Sequence, residues 1–353
     1  MAVLNGAPPL DATWRQRETV AFLADPASYG DGRAPVAQVA THCSIVFLVG
    51  TRAYKLKRAI RFAAVDYTSR ARRAEACRAE LVLNRRTAPA LYLDVMAIVR
   101  TADGGLALGG SGQTVDHVVV MRRFAQRDQF DRMADDGRLT PDLLHSLGHT
   151  VARFHQAAAP SRGFGGAHGL RAAVEENHRE LLRVAAPLRA TALAVLRGRS
   201  LAALEALAPV LDRRRDSGDV RRGHGDLRLA NICLFAGRPT LFDCLEFDVA
   251  LGTIDRLYDL AFLLMDLHIR GGATLAAPVL AAYQEIVGDP GARRVLPLFL
   301  SVRAATRSYA LAGKALRQTD PRLAARSLAA ARQHLAASHC FLRAAPRWVT
   351  AAA

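Results

Sequence analysis

Apolar positions change their spacing once along this chain. Between residues 36 and 122 they alternate or run in short blocks broken by glycine turns, whereas beyond residue 124 they recur at helical intervals. Residues 36–40, 45–49 and 52–57, around Gly50-Thr51, predict three strands of a small antiparallel sheet. Residues 95–99, 106–108 and 115–122 complete it around Asp103-Gly104-Gly105 and the Gly109-Gly110-Ser111-Gly112 turn. Residues 68–87 are helical by composition, with Thr68 or Ser69 as cap and Pro89 as stop. Residues 1–35, with Pro8-Pro9, Pro26 and Gly30-Asp31-Gly32, read as a short amphipathic helix between loops. After Phe124 the spacing predicts helices over 141–158, 170–188, 191–214, 253–270 and 275–287, and over 292–344 in two or more pieces. A hairpin breaks this run: residues 232–235 and 240–243 are short apolar stretches around Ala236-Gly237-Arg238-Pro239. A sheet followed by helices is an α+β arrangement, here with domains 1–124 and 125–353.

The hairpin follows the segment His224-Gly225-Asp226-Leu227-Arg228-Leu229-Ala230-Asn231, and Asp243 stands seventeen residues after Asp226. In phosphoryl transfer a carboxylate takes the proton of an attacking hydroxyl, while an asparagine and a second aspartate hold Mg²⁺ against the phosphates. If residue 232 faces 243 and 235 faces 240, Asn231 and Asp243 emerge side by side at the open end. Two oxygen ligands there suit a hard cation. By itself H-x-D-x₄-N is a weak pattern, because all three residue types are common in turns. The second aspartate in register with the hairpin is what raises it.

Other segments carry a resemblance. They are residues 41–48, Ala53-Tyr54-Lys55-Leu56-Lys57, residues 80–86, the loop 224–231, and 241–247 through 259–263. Over most of residues 35–315 the chain resembles the aminoglycoside phosphotransferase group of the protein-kinase-like superfamily. It is most similar to bacterial members of undefined substrate, some of which carry a second, P-loop ATPase domain. The resemblance implies a bilobal protein-kinase-like fold, ATP or GTP with Mg²⁺ as cofactors, and a small-molecule hydroxyl substrate. It implies Lys55 as the phosphate-positioning lysine. Lys57 shares its face, and one of the two then reads as a solvated strand end. Glu75 and Glu80 lie about 140° apart around a helix, so only one faces the lysine, and the resemblance favours Glu80. Asp226 becomes the general base, or the group that orients the acceptor hydroxyl, Asn231 and Asp243 the Mg²⁺ ligands, and Met121 to Phe124 the connection whose backbone binds adenine. Ser44 stands in a turn that replaces the glycine-rich phosphate loop. His224 is expected to brace the loop, Asp259 to accept its backbone N–H groups, and His155 to be packed or capping. Glu246 and Asp248 contact substrate or a second metal, or are solvated.

Three departures limit what is carried over. Gly225 replaces the arginine that reads a phosphorylated activation loop, Cys244-Leu245 replaces Phe-Gly around the metal aspartate, and no G-x-x-x-x-G-K-[ST] occurs.

Composition alters this picture little. The net charge is +16, but of 48 basic residues only Lys55, Lys57 and Lys314 are lysine, a compositional arginine bias without aromatic interleaving. That argues against nucleic acid as partner. Five scattered cysteines predict reduced thiols in the cytoplasm. The N-terminus lacks a basic-then-apolar leader, and the apolar stretch 257–267 is interrupted by Asp259 and Asp266, so neither export nor a membrane span is expected. Arg303 and Arg307, set against Glu175, Glu176, Glu246 and Asp248, keep an uncharged or anionic metabolite open beside an aminoglycoside as acceptor. Oligomeric state is left open. A nucleotide-binding regulatory module with little or no turnover is the alternative, but its mark would be a missing base or metal ligand, and none is missing. A nucleic-acid-binding protein is a more distant one.

Overall fold

A computed structural model describes residues 10–11, 13–30, 32–62, 65–186, 188 and 190–351. The expectations placed on residues 1–9, Pro8-Pro9 among them, and on Asp31 lie outside these residues. The described residues fall into two units: those of 10–126 with Leu241–Asp248, and those of 127–240 with 249–351. The sequence had put the junction at 124/125 and kept 241–248 with the helices.

The first unit contains β1 (Leu10–Asp11), α1 (Arg17–Ala24), β2 (Val36–Ala40), β3 (Ser44–Val49), β4 (Arg52–Lys57), β5 (Ile60–Phe62), β6 (Val65–Asp66), α2 (Arg70–Arg85), β7 (Tyr92–Arg100), β8 (Leu106–Leu108) and β9 (Gln113–Arg122). Six of these strands form one antiparallel sheet in the order β2-β3-β4-β9-β7-β8. Side chains alternate across a pleated strand. Tyr54 and Leu56 therefore join Phe47, Ile98, Val118 and Val120 in a core that also takes Leu23 of α1. Lys55 and Lys57 point to the opposite face. The Ser69 hydroxyl caps α2 by accepting from Arg72 N at 3.3 Å, worth about 1 kcal/mol. Arg73 anchors the helix to the sheet through Asp116, Nε to Oδ1 at 2.9 Å, both side chains buried.

The second unit contains α3 (Phe130–Asp135), α4 (Pro141–Ala157), α5 (Gly166–Arg183), α6 (Ala190–Asp216), β10 (Val220–Arg222), β11 (Ile232–Phe235), β12 (Arg238–Leu241), α7 (Val249–Gly252), β13 (Thr253–Asp255), α8 (Arg256–Val287), α9 (Ala292–Arg317), α10 (Pro321–Arg343) and α11 (Arg347–Ala351). Two expectations fail here. Residues 253–255 pair with β10 instead of opening a helix, and Asp255 caps α8 by accepting from Leu257 N at 2.8 Å. The hairpin turns on two residues, Ala236 (φ 49°) and Gly237 (φ 74°), so its second strand ends at Leu241. Asp243 thus lies outside the strand, in left-handed conformation at φ 63°. The predicted facing of 232 with 243 does not occur.

Among the described residues α8 is the one helix long and apolar enough to cross a membrane. It leaves helical geometry at Gly271 and Gly272, where the sequence predicts two helices. All of residues 257–267 are buried, including Asp259 and Asp266, which gives this stretch the place of a core helix.

Candidate active site

In the sheet unit the two strand lysines meet three carboxylates. Lys55 Nζ lies 2.7 Å from Glu80 Oε1 and 2.6 Å from Asp243 Oδ1. Lys57 Nζ lies 2.6 Å from Glu80 Oε2 and 2.5 Å from Glu246 Oε1. Glu80 of α2 is fully buried and serves both lysines, whereas Glu75 is exposed. The solvated strand end expected of one lysine is absent: Lys57 is 1 % exposed. An unpaired ammonium at that depth would cost several kcal/mol, and Glu80 and Glu246 are what make the burial tolerable. Glu246 is held further by the Tyr67 hydroxyl at 2.8 Å, so it belongs to this network. Asp248 is half-buried beyond it.

Tyr92 and Asn84 fix the segment that carries Asp243. The Tyr92 hydroxyl accepts from Asp243 N at 3.2 Å and lies 3.4 Å from Glu80 Oε1, and Asn84 Oδ1 accepts from Cys244 N at 2.8 Å. Burial by itself would push the Asp243 carboxyl up, but the Lys55 ammonium holds it well below the usual carboxylate range. Burial likewise opposes the charge on Lys55, and the Asp243 and Glu80 carboxylates raise it above the ordinary lysine value. Two ammonium groups against three carboxylates leave one negative charge in excess. Of the three carboxylates, Asp243 is the most accessible, at 25 %.

The nucleotide-side expectations fall in the same unit. The Ser44 side chain is buried, and its backbone closes the turn with Thr41 through Ser44 N to Thr41 Oγ1 at 3.0 Å. Met121 is buried inside β9, between Ala53 and Tyr92, and not in the connection. Arg122 N and Arg123 N already donate, to Leu91 O and Thr51 O. Phe124 packs its ring on Phe242, centroids 5.1 Å apart.

In the helical unit the loop 224–231 is held from beneath by α8. Asp259 accepts from His224 N at 2.6 Å and Gly225 N at 3.0 Å, and Asp266 accepts from Leu229 N at 3.1 Å. His155 lies 3.2 Å from Asp259 through Nε2 and 3.0 Å from the Tyr283 hydroxyl through Nδ1. Gly223 sits so close that a Cβ would stand 2.4 Å from Asp259 Oδ2. His224 Nδ1 accepts from Asp226 N at 3.4 Å, a bracing contact. Asp226 itself is 1 % exposed and is clasped by Arg228, Nε to Oδ1 at 2.9 Å and Nη2 to Oδ2 at 3.3 Å. The Asn231 amide donates to both Asp226 O and Oδ2 at 2.9 Å, which turns its carbonyl oxygen to other use.

Sequence reasoning missed Arg228, Asp266, Tyr92 and the buried state of Lys57. Asp266 was findable: it follows Asp259 by seven residues, two helical turns, and so shares its face.

Structures of similar fold are kinase-like. A choline/ethanolamine kinase family protein from Mesorhizobium loti is 17% identical, with a TM-score of 0.51 over 92% of this chain and 99% of that one. The GDP complex of aminoglycoside 2'-phosphotransferase-IIIa is 16% identical, with a TM-score of 0.52 over 91% of this chain and 99% of that one. The chain therefore has the protein-kinase-like fold. The family model described as the phosphotransferase enzyme family matches residues 45–298, and the chain belongs to that family. An uncharacterized protein of Mycobacterium tuberculosis (strain ATCC 25618 / H37Rv) is 31% identical over 276 residues, covering 76% of this chain. The same identity and coverage hold for one of Mycobacterium bovis. The chain spans about half, 53%, of the length of these relatives.

Proposed function

We propose that this protein transfers the γ-phosphoryl group of ATP or GTP to a hydroxyl of a small molecule. The observation that carries the reading is the Lys55 ammonium bridging Glu80 and Asp243 at 2.7 and 2.6 Å. It combines the three elements that set phosphates against a metal in kinase-like transferases: a strand lysine, a helix glutamate and a metal-holding aspartate.

Asp243 and Asn231 are of the donor type that Mg²⁺ takes. The excess negative charge at Asp243 and the free carbonyl of Asn231 are hard oxygen donors, and they flank the β11–β12 hairpin in sequence. When bound, the cation neutralises phosphate charge. The protein's own part is positioning. Lys55 holds the phosphates, Arg228 and Asn231 fix the orientation of Asp226, and Asp226 accepts the proton of the attacking hydroxyl. Lys57 keeps Glu80 neutralised while Lys55 engages phosphate. Ser44, Met121 and Phe124 remain our candidates for the nucleotide wall, with Met121 acting from within the strand. The compartment proposed is the cytoplasm.

The acceptor side of the helical unit argues for an uncharged or anionic substrate. Asp266 is surrounded by Arg270, at 3.3 Å, and by the charges of Arg307 and Arg228. Burial, then the neighbouring Arg228, pushes the Arg307 guanidinium down to about 9, and no carboxylate pairs with it among the described residues. Arg303 is committed to structure, stacked 3.9 Å from the Tyr258 ring centroid and donating to Tyr258 O at 3.0 Å. Glu175 and Glu176 are paired with Arg197 and Arg179. Arg228 and Arg270 are paired with Asp226 and with Asp266 and Asp135, so Arg307 is the guanidinium left to favour an uncharged or anionic acceptor over a cationic one.

The test is thermal melting with Mg²⁺ and each purine triphosphate, followed by ATP-consumption screening of hydroxylated metabolites and aminoglycosides. Nucleotide at a hundred times Kd should stabilise by about 2.7 kcal/mol. Folded protein that shifts with none of them refutes the proposal.

A further inference from the structure

Away from the loop and the lysine cluster, three side chains converge: His145 and His149 on α4 and Glu285 on α8. The histidines are four residues apart and so stand one above the other on a single helix face. Gly148 lies between them. A Cβ at that position would meet Val279 O at 2.5 Å and Ala282 Cβ at 2.7 Å, so glycine is what allows the two helices to close here. Glu285 comes three residues after Ala282 and projects from nearly the same side of α8. Its Oε1 lies 3.1 Å from His145 Nε2 and its Oε2 2.7 Å from His149 Nε2. The imidazole centroids are 4.3 Å apart, and the three ligand atoms all lie within 4.8 Å of one another.

Metal–nitrogen and metal–oxygen bonds of about 2.0–2.2 Å place tetrahedral ligand atoms about 3.3 Å apart. The observed separations reach that spacing with small side-chain rotations. The side chains are 46, 25 and 52 % exposed, which leaves room for water at a fourth position. Imidazole favours zinc, nickel, cobalt and copper, whereas magnesium prefers oxygen donors alone. Nothing in phosphoryl transfer uses these residues.

We propose that His145, His149 and Glu285 form a binding site for a divalent transition cation of the zinc class, clamping α4 to α8. The same helices carry His155, Tyr283 and Asp259, so the clamp closes over the pair that supports the loop 224–231.

The full chain, in excess Mg²⁺, is titrated with Co²⁺ by visible absorption and with Zn²⁺ by calorimetry. One equivalent of Co²⁺ should give ligand-field bands without thiolate charge transfer, yield to Zn²⁺, and raise the melting temperature. His149→Ala and Glu285→Gln should each weaken binding at least about tenfold, since loss of a ligand costs no less than loss of its supporting partner. H145Q/H149Q preserves helix propensity and serves if an alanine variant melts early without metal. No saturable binding by the parent, a thiolate-type Co²⁺ spectrum, or undiminished binding by the folded double variant overturns the proposal. Each of these readouts is independent of nucleotide binding.

Discussion

Replacing Asp259 with alanine should destabilise the protein before any ligand is considered. Its fully buried carboxylate accepts from His224 N at 2.6 Å, from Gly225 N at 3.0 Å and from His155 Nε2 at 3.2 Å. Each stranded buried donor costs about 1–3 kcal/mol, and the substitution strands three, His224 N, Gly225 N and His155 Nε2. The losses overlap, and relief of the carboxylate's own desolvation offsets part of them, so about 3–5 kcal/mol is expected. At ~2–4 °C per kcal/mol for a unit of this size, the ligand-free melting temperature should fall by roughly 6–20 °C. Asp259→Asn, which retains one acceptor oxygen, should lie between. Acid supplies an internal check. Burial would raise the Asp259 carboxyl, but its hydrogen bond and charge interaction with His155 hold it below the ordinary 3.8. A depressed carboxyl contributes stability that is present above its unfolded value and lost as pH falls through the folded one. The gap between parent and alanine variant should therefore be full above about pH 5 and narrow below pH 4. An alanine variant that melts within about 1 °C of the parent, a shift far below the ~2–4 °C per kcal/mol scale, refutes the bracing role.

Asp226→Asn should keep its stabilisation by Mg²⁺ and nucleotide while kcat with a found acceptor drops roughly 10²- to 10⁴-fold; turnover equal to the parent's would reduce Asp226 to a loop-stabilising carboxylate. His334 is 7 % exposed, and burial depresses it from 6.5 to about 4. The unfolded chain therefore binds the proton first, and stability falls as pH drops from 6.5 towards 4, by about 3 kcal/mol at ~1.36 kcal/mol per tenfold. His334→Gln should flatten that part of a plot of urea midpoint against pH, and parallel profiles for the two proteins would rule the histidine out as the source.

Strand and helix positions were legible where the pattern was local. Residues 36–40 and 52–57 carry their limits in alternation and in the Gly50 turn, and α4 is announced by Thr140-Pro141. The hairpin was misread because Pro239 and Gly237 suggest a four-residue turn, whereas Ala236 adopts a positive φ that alanine rarely takes. Alternation placed Lys55 and Lys57 on one face but said nothing about depth. Lys57 is buried by α2 and by the segment that brings Glu246, the latter 189 residues away in sequence. The contacts of Arg228 with Asp226 lie within the motif itself, yet the motif records residue types and not which side chain folds back on which.

Asp259 and Asp266 give α8 a second consequence. A loop of mixed glycine and polar residues would sample many backbone states, and each ordered residue would cost roughly 1–2 kcal/mol of conformational entropy. Here the amides of His224, Gly225 and Leu229 are tied to a helix buried in the unit's interior. That entropy is lost once, when the helix packs during folding. On the function proposed, the loop would meet its reactants already in shape.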